Sequence, residues 1–254
     1  MELWTAAHGK TLLPALALMI LAALLLRRCI GSKSLKIRLI PLKILAVLLL
    51  LLEVGKQICS FAQGYDLYHI PLHFCSLVLL ALPAIAFYNG PHKDTVHGVG
   101  AALLAAISLL MLIYPALIYS AGNIEDYFKG FMDFHTVTFH NIVLFAFILT
   151  VALQIHTPTE KSEPKAVVLF TVGFCVTAAS IAQLLQTNYA NFYTCNIGPL
   201  ETVRISVQAV LGYVPTQILY VLIVATLHVL FVLMSYWLYR FLRKKAQSKA
   251  AAPV

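Results

Sequence analysis

The segment Tyr65-Asp-Leu-Tyr-His-Ile-Pro-Leu-His-Phe-Cys-Ser76 brings together Asp66, His69, His73, Cys75 and Ser76. A carboxylate, two imidazoles, a thiol and a hydroxyl thus crowd the start of an otherwise apolar run. That run reads as a membrane-spanning helix, and ionisable groups inside such a helix mark functional sites by default. A thiol becomes a nucleophile when a neighbouring imidazole takes its proton, which is the minimal pair for acyl transfer. Cys75 falls about 7.5 Å below the outer end of its span, and His140, in a later span, about 9 Å below the same side at helical rise. The plainer reading is that Cys75 is a small hydrophobe and His140 a bridge between helices.

These side chains need a scaffold, and composition supplies its class. Of 254 residues, 61% are hydrophobic and 11% charged, too little charge to clothe a soluble domain. The expectation is an all-α, polytopic membrane helix bundle, a single domain over residues 1–245 with a flexible basic tail at 246–254. Seven spans are predicted at about 11–26, 39–61, 70–88, 96–119, 134–155, 166–186 and 213–239, each near the length needed to cross about 30 Å of hydrocarbon. An earlier start for the first, at Trp4, is an open alternative, and its end at Arg27-Arg28 does not resemble a cleaved signal peptide. Pro83, Pro115 and Pro215 are predicted to kink spans three, four and seven.

Charge placement orients the bundle. Arg27, Arg28, Lys33, Lys36, Arg38, Lys93, Lys161, Lys165, Arg240, Arg243, Lys244, Lys245 and Lys249 fall on one side; only Lys10, Lys129 and Arg204 fall on the other. The positive-inside rule then puts the N-terminus out and the C-terminus in. The +8 formal charge is explained by orientation and calls for no nucleic acid partner.

Further polar groups share the outer half. Glu53 and Lys56 lie about 12 and 7.5 Å below the outer end of span two, spaced for an ion pair that either clamps the helix or orients a histidine. Gln183 and Gln186 end span six, and Asn141 follows His140. His228 is the main polar group of the inner half, so the cavity is predicted to open outward. His69, His73 and Asp66 form an alternative metal set, weakened because Pro71 is expected to start the helix and leave His69 in the preceding turn. His135 and His140 are five apart, about 140° around a helix, and do not share an ion. Cys59 and Cys195 both fall near the outer face, where a disulfide between them is an open alternative. After Gly198-Pro199, the apolar positions Leu200, Val203, Val207, Val210 and Leu211 share one helical face, predicting an interfacial helix over about 199–211.

Ile70-Pro-Leu-His-Phe-Cys-Ser76 resembles the Leu-Pro-Leu-His-Leu-Cys segment of the YwaF-type integral membrane family. Glu53, the stretch Phe134-His-Thr-Val-Thr-Phe-His140-Asn, the triplet Thr187-Asn-Tyr and the stretch Leu211-Gly-Tyr-Val-Pro-Thr resemble its other anchors at compatible spacing. Asn141 stands where that family has glycine, and one proline–tryptophan pair is missing before span seven. The family includes eukaryotic transmembrane acyltransferases that remodel phospholipids through a cysteine/histidine site. The resemblance implies Cys75 as acyl-accepting nucleophile and His140 as general base. It further implies that His73 shapes the site while Asn188 and Tyr189 line its mouth, with no cofactor.

The leading expectation is therefore an intramembrane acyltransferase that moves an acyl chain from a phospholipid, through a Cys75 thioester, to a lysophospholipid or to water. Ser76, Glu53, Lys56, Asn141 and Gln183 are its supporting residues. The alternatives are a seven-span metal-dependent lipid hydrolase and a non-enzymatic lipid-binding or transport protein.

Overall fold

The computed structural model describes residues 3–158 and 161–251, with 245–251 described by backbone alone. The chain runs α1 (Ala6–Ile30), α2 (Leu35–Arg38), α3 (Ile40–Ala62), two 3-10 turns (Leu67–His69 and Phe74–Leu77), α4 (Val78–Phe87), α5 (Lys93–Ile113), α6 (Pro115–Ile118), α7 (Ala121–Glu125), α8 (Phe131–Ala152), α9 (Glu163–Leu185), α10 (Gly198–Leu211) and α11 (Tyr213–Ala251). Among the described residues there is no strand. Six stretches are long and apolar enough to cross a membrane: Ala6–Ile30, Leu67–Phe87, Lys93–Ile113, Phe131–Ala152, Glu163–Leu185 and Tyr213–Lys244. The predicted second span corresponds to α3, which is 23 residues long and carries Lys43, Glu53 and Lys56.

Local chemistry explains where the elements depart from the predicted spans. α1 starts at Ala6 because Thr5 caps it, its hydroxyl accepting the His8 N–H at 3.4 Å. The predicted fourth span stops at Ile113: Pro115 keeps Tyr114, at φ −139° and ψ 68°, out of the α region and a short new turn, α6, begins. The last helix continues to Ala251, through most of the stretch expected to be a loose tail; residues 252–254 lie outside the described residues. The interfacial helix forms at Gly198–Leu211, one residue earlier than predicted.

The third span departs most. Instead of one helix from Ile70, the chain makes two 3-10 turns separated by extended residues and turns α-helical only at Val78. The cause is Pro71, which holds Ile70 at φ −58° and ψ 131° and denies it the α region. Pro71 therefore does not start the helix, and a depth computed from helical rise does not apply to Cys75.

α5 is the most buried span and α1 the least. α5 packs against α4, α8, α9 and α11, and its Gly98, Gly100, Ala101, Ala102, Ala105 and Ala106 let neighbouring backbones close in. A Cβ on Gly100 would stand 2.7 Å from Ile85 Cγ1 of α4.

The lower end of the bundle, where α8 ends and α9 begins, is locked by buried polar groups. Glu163 Oε2 lies 3.1 Å from His156 Nε2 and accepts the Tyr236 hydroxyl at 3.2 Å. Tyr239 and Arg243 both donate to the His156 carbonyl, at 2.8 and 3.2 Å. Arg38 donates to the Leu153 and Gln154 carbonyls at 2.8 and 3.1 Å, closing the end of α8. Gly98 sits against this cluster: a Cβ there would collide with Glu163 Oε2. Gly98→Ala should therefore lower stability by about 1–3 kcal/mol through overpacking, read as an earlier thermal transition of the detergent-solubilised protein.

At the upper end, Arg204 of α10 donates to both oxygens of Glu201, at 2.5 and 2.8 Å, and Glu201 accepts the Cys195 N–H at 2.9 Å. Arg204 also reaches Gln217 Oε1 at 3.3 Å and lies over the Tyr220 ring, so this pair ties α10 to α11. The bond from Arg204 holds the Glu201 carboxyl below its ordinary value of 4.5. A depressed carboxylate stabilises the fold above its unfolded-state value, and that contribution is lost as pH falls through the folded-state value. Protection of the α10 amides, corrected for their intrinsic exchange rate, should accordingly fall below pH 4.5, while in Glu201→Gln it should be low throughout and its profile flat.

Candidate functional site

Non-helical backbone at membrane depth is stable only where protein groups satisfy it, and residues 65–76 are satisfied from three directions. Asp66 caps the first turn by accepting the Tyr68 N–H at 2.8 Å. Gln57 of α3 donates to the His69 carbonyl at 2.8 Å, and the Tyr189 hydroxyl donates to the Leu67 carbonyl. His73 Nε2 bonds the Tyr68 carbonyl at 2.9 Å, and its ring lies 4.4 Å from the Tyr68 ring and 5.7 Å from that of Tyr189. Held this way, Phe74, Cys75 and Ser76 face a cavity of about 490 Å3.

That cavity brings together most of the predicted residues. Glu53, Lys56, His69, His73, Cys75, Ser76, His140 and Asn188 all line it. No hydrogen bond joins Cys75 to His140 among the described residues; both line the same cavity. His140 is buried and its ring is fixed, because Nδ1 bonds the Thr136 carbonyl at 2.7 Å. That bond places the proton on Nδ1, which leaves Nε2 as the acceptor that a base needs. Nε2 is buried and has no hydrogen-bond partner among the described residues.

The Glu53–Lys56 pair forms as spaced, at 2.7 Å, with both side chains almost buried. Glu53 Oε1 also accepts from Gln57 Nε2 at 2.7 Å, and Oε2 lies 3.5 Å from His135 Nε2. The carboxylate thus faces His135, five residues before His140 on α8, rather than His140 itself. Gln57 in turn accepts the Tyr65 hydroxyl at 3.0 Å, so one buried charge organises both α3 and the broken segment.

Other expectations need correction. Tyr189 does not line the cavity; it is fully buried behind His73 as a prop for the segment. Asn188 does reach the cavity, yet its side chain mainly shapes its own loop, accepting the Tyr193 and Thr194 N–H groups at 3.2 and 3.1 Å. Gln183 is spent on the Phe192 carbonyl at 2.8 Å and Asn141 on the Val137 carbonyl at 2.8 Å; neither lines the cavity. The metal set does not assemble. Asp66 is a cap, His69 Nδ1 pairs with Ser60 Oγ at 2.7 Å, and His73 Nε2 is held by Tyr68. Among the described residues no three His, Cys, Asp or Glu side chains converge on one ion. All five cysteines are free thiols, so Cys59 and Cys195 form no disulfide.

Sequence reasoning missed His135 as the partner of Glu53, and it missed Asn123, Asp133, Asn191 and Asn196 on the cavity wall. Asn123 donates to Asp133 Oδ1 at 2.7 Å. Matching depth on neighbouring spans was a usable signal for His135; nothing in the sequence signals the loop asparagines. Part of the wall is apolar, formed by Ile107, Leu110, Phe139, Leu227 and Phe231.

A broken span that presents a thiol and an oriented imidazole to one half-polar cavity defines a class of integral membrane helical bundle with an internal site. The chain belongs to the TMEM164 family, whose model matches residues 3–239. No curated protein and no solved structure matches it.

Removing only one member of a buried pair strands the other charge, at a cost of about 3–5 kcal/mol, whereas replacing both costs far less. Glu53→Leu alone should therefore destabilise the protein strongly, near the lower end of that range because Lys56 keeps some contact with the cavity. Glu53→Leu combined with Lys56→Met should recover most of the loss in thermal unfolding.

Proposed function

We propose that this protein is an intramembrane lipid acyltransferase in which Cys75 carries the acyl group. The observation that carries this reading is the presence, in one cavity, of the Cys75 thiol and a His140 imidazole whose Nδ1 is fixed and whose Nε2 has no hydrogen-bond partner among the described residues. Unmade hydrogen bonds of buried groups are costly, so a buried imidazole nitrogen without a partner, on a side chain that lines a cavity, is a group suited to a ligand. The resemblance of residues 70–76 and 134–141 to the YwaF-type family and its phospholipid-remodelling acyltransferases supports the same chemistry.

In the first half-reaction His140 Nε2 takes the Cys75 proton, and the thiolate attacks the ester carbonyl of a phospholipid. The carbon–sulfur bond forms, the ester carbon–oxygen bond breaks, and the departing alkoxide takes the proton from His140 and leaves as a lysophospholipid. A second hydroxyl, that of another lysophospholipid or of water, then attacks the thioester and returns the thiol. The apolar lining residues suit an acyl chain and the asparagine side chains suit a headgroup.

We infer further that α3 is a seventh span, its Glu53 and Lys56 neutralising each other and facing the interior. With seven spans, the basic residues place the C-terminus inside, and the cavity then faces the non-cytoplasmic side.

Purified protein incubated with a defined phospholipid should gain a hydroxylamine-sensitive acyl mass on the Cys75 peptide and release lysolipid. Cys75→Ala should form no acyl-enzyme, and His140→Ala should form it at least about 100-fold more slowly. A folded Cys75→Ala variant with wild-type turnover would sink the proposal.

A further inference from the structure

The same cavity holds an imidazole that the first half-reaction does not use. His228 lies on α11 among Leu227 and Phe231, in surroundings where packing asks for an apolar side chain. Its Nδ1 bonds the Val224 carbonyl at 2.9 Å, which fixes Nε2 as the acceptor nitrogen. No hydrogen bond engages Nε2 among the described residues. The ring is stacked on Phe192 at 5.5 Å and meets the Phe74 ring edge-on at 5.0 Å. Phe74 is the residue before Cys75, so the side chain that precedes the nucleophile also sets the orientation of His228.

The two oriented imidazoles approach from different helices. α8 and α11 meet at the lower end, where Phe147 faces Tyr239 at 6.3 Å and Arg243 reaches the Val151 carbonyl at 3.4 Å. Above that contact they part, and the cavity between them is lined by His140 on one helix and His228 on the other. Cys75 packs with residues of α3, α4 and α8, whereas Phe74 packs as well with α9 and α11. A thioester on Cys75 would share the cavity with both His140 and His228.

We propose that His228 is the general base of the second half-reaction, and that this rests on the thioester reading above. In this step the hydroxyl of the acceptor, a lysophospholipid or water, gives its proton to His228 Nε2 as its oxygen attacks the thioester carbonyl. The carbon–oxygen bond forms, the carbon–sulfur bond breaks, and the proton passes from His228 to the released Cys75 thiolate. His140 would serve the donor and His228 the acceptor, so each lipid would meet its own base.

The test separates the half-reactions. Acyl-enzyme is formed on purified protein with a phospholipid whose acyl chain is labelled, freed of excess lipid, and chased with a lysophospholipid. In His228→Gln, labelling of Cys75 should proceed at the wild-type rate, while transfer from the acyl-enzyme slows about 100-fold or more, so labelled enzyme accumulates. His228→Phe, which keeps an aromatic ring against Phe74 and Phe192, should behave alike and carries the test if the glutamine variant does not fold. Transfer at the wild-type rate in either folded variant overturns the assignment. So does a parallel fall in both half-reactions, the mark of a structural role. Absence of any label on wild-type Cys75 overturns the thioester reading and the role of His228 with it.

Discussion

A chain inside lipid cannot leave its backbone unpaired, and this constraint decides where the site can exist. Residues 65–77 surrender regular helix, and each freed group then needs a donor or acceptor from elsewhere. Gln57 from α3, Tyr189 from the loop after α9 and His73 from the segment itself supply the bonds to three successive carbonyls, those of His69, Leu67 and Tyr68. Those three side chains hold Cys75 where an α-helix would not have put it. Anything that loosened one of them would free a carbonyl at membrane depth, so the geometry of the thiol is coupled to the packing of α3 and of the loop.

The same constraint explains the charges nearby. Gln57, which caps the broken segment, also donates to Glu53, and Glu53 holds Lys56 and faces His135. A carboxylate with several donors is tolerable at this depth; an isolated one is not. The pair expected from sequence as either a clamp or a histidine orienter forms the clamp, and the histidine nearest its carboxylate is His135, at 3.5 Å. His140 keeps its Nε2 unengaged because the Thr136 carbonyl, an internal partner on its own helix, already fixes the ring through Nδ1.

What is legible in the sequence follows from local rules. Gly198-Pro199 and a one-sided apolar pattern define α10 nearly to the residue, because capping and periodicity are properties of neighbours in the chain. The Glu53–Lys56 pair follows from helical spacing. The break after His69 is half legible: Pro71 reads as a helix start, but its effect on Ile70 keeps the chain extended, and the helix waits until Val78. Tyr189 escapes such rules because the loop after α9 folds inward, burying Tyr189 and Phe192 completely. That is a tertiary decision made by the partners Leu67 and His228, not by the loop's own composition. For the same reason the cavity wall formed by Asn123, Asn191 and Asn196 leaves no trace in the pattern.

The lower end of the bundle and the cavity use buried polar groups in opposite ways. At the lower end, the Glu163 carboxylate and the His156 carbonyl are met by His156, Tyr236, Tyr239 and Arg243, which cross-link the ends of α8, α9 and α11. Above that cluster, in the cavity, His140 and His228 are each fixed through Nδ1 on a backbone carbonyl of their own helix, and neither Nε2 is engaged by a hydrogen bond among the described residues. Fixing the ring while sparing one nitrogen is wasteful for a helix cross-link, which gains by using both. It is what acid–base chemistry requires, because a base must be oriented before the substrate arrives and unengaged until it does. The lower cluster joins α8 to α11 through the Phe147–Tyr239 contact and the Arg243 bond to the Val151 carbonyl, below the cavity that His140 and His228 line.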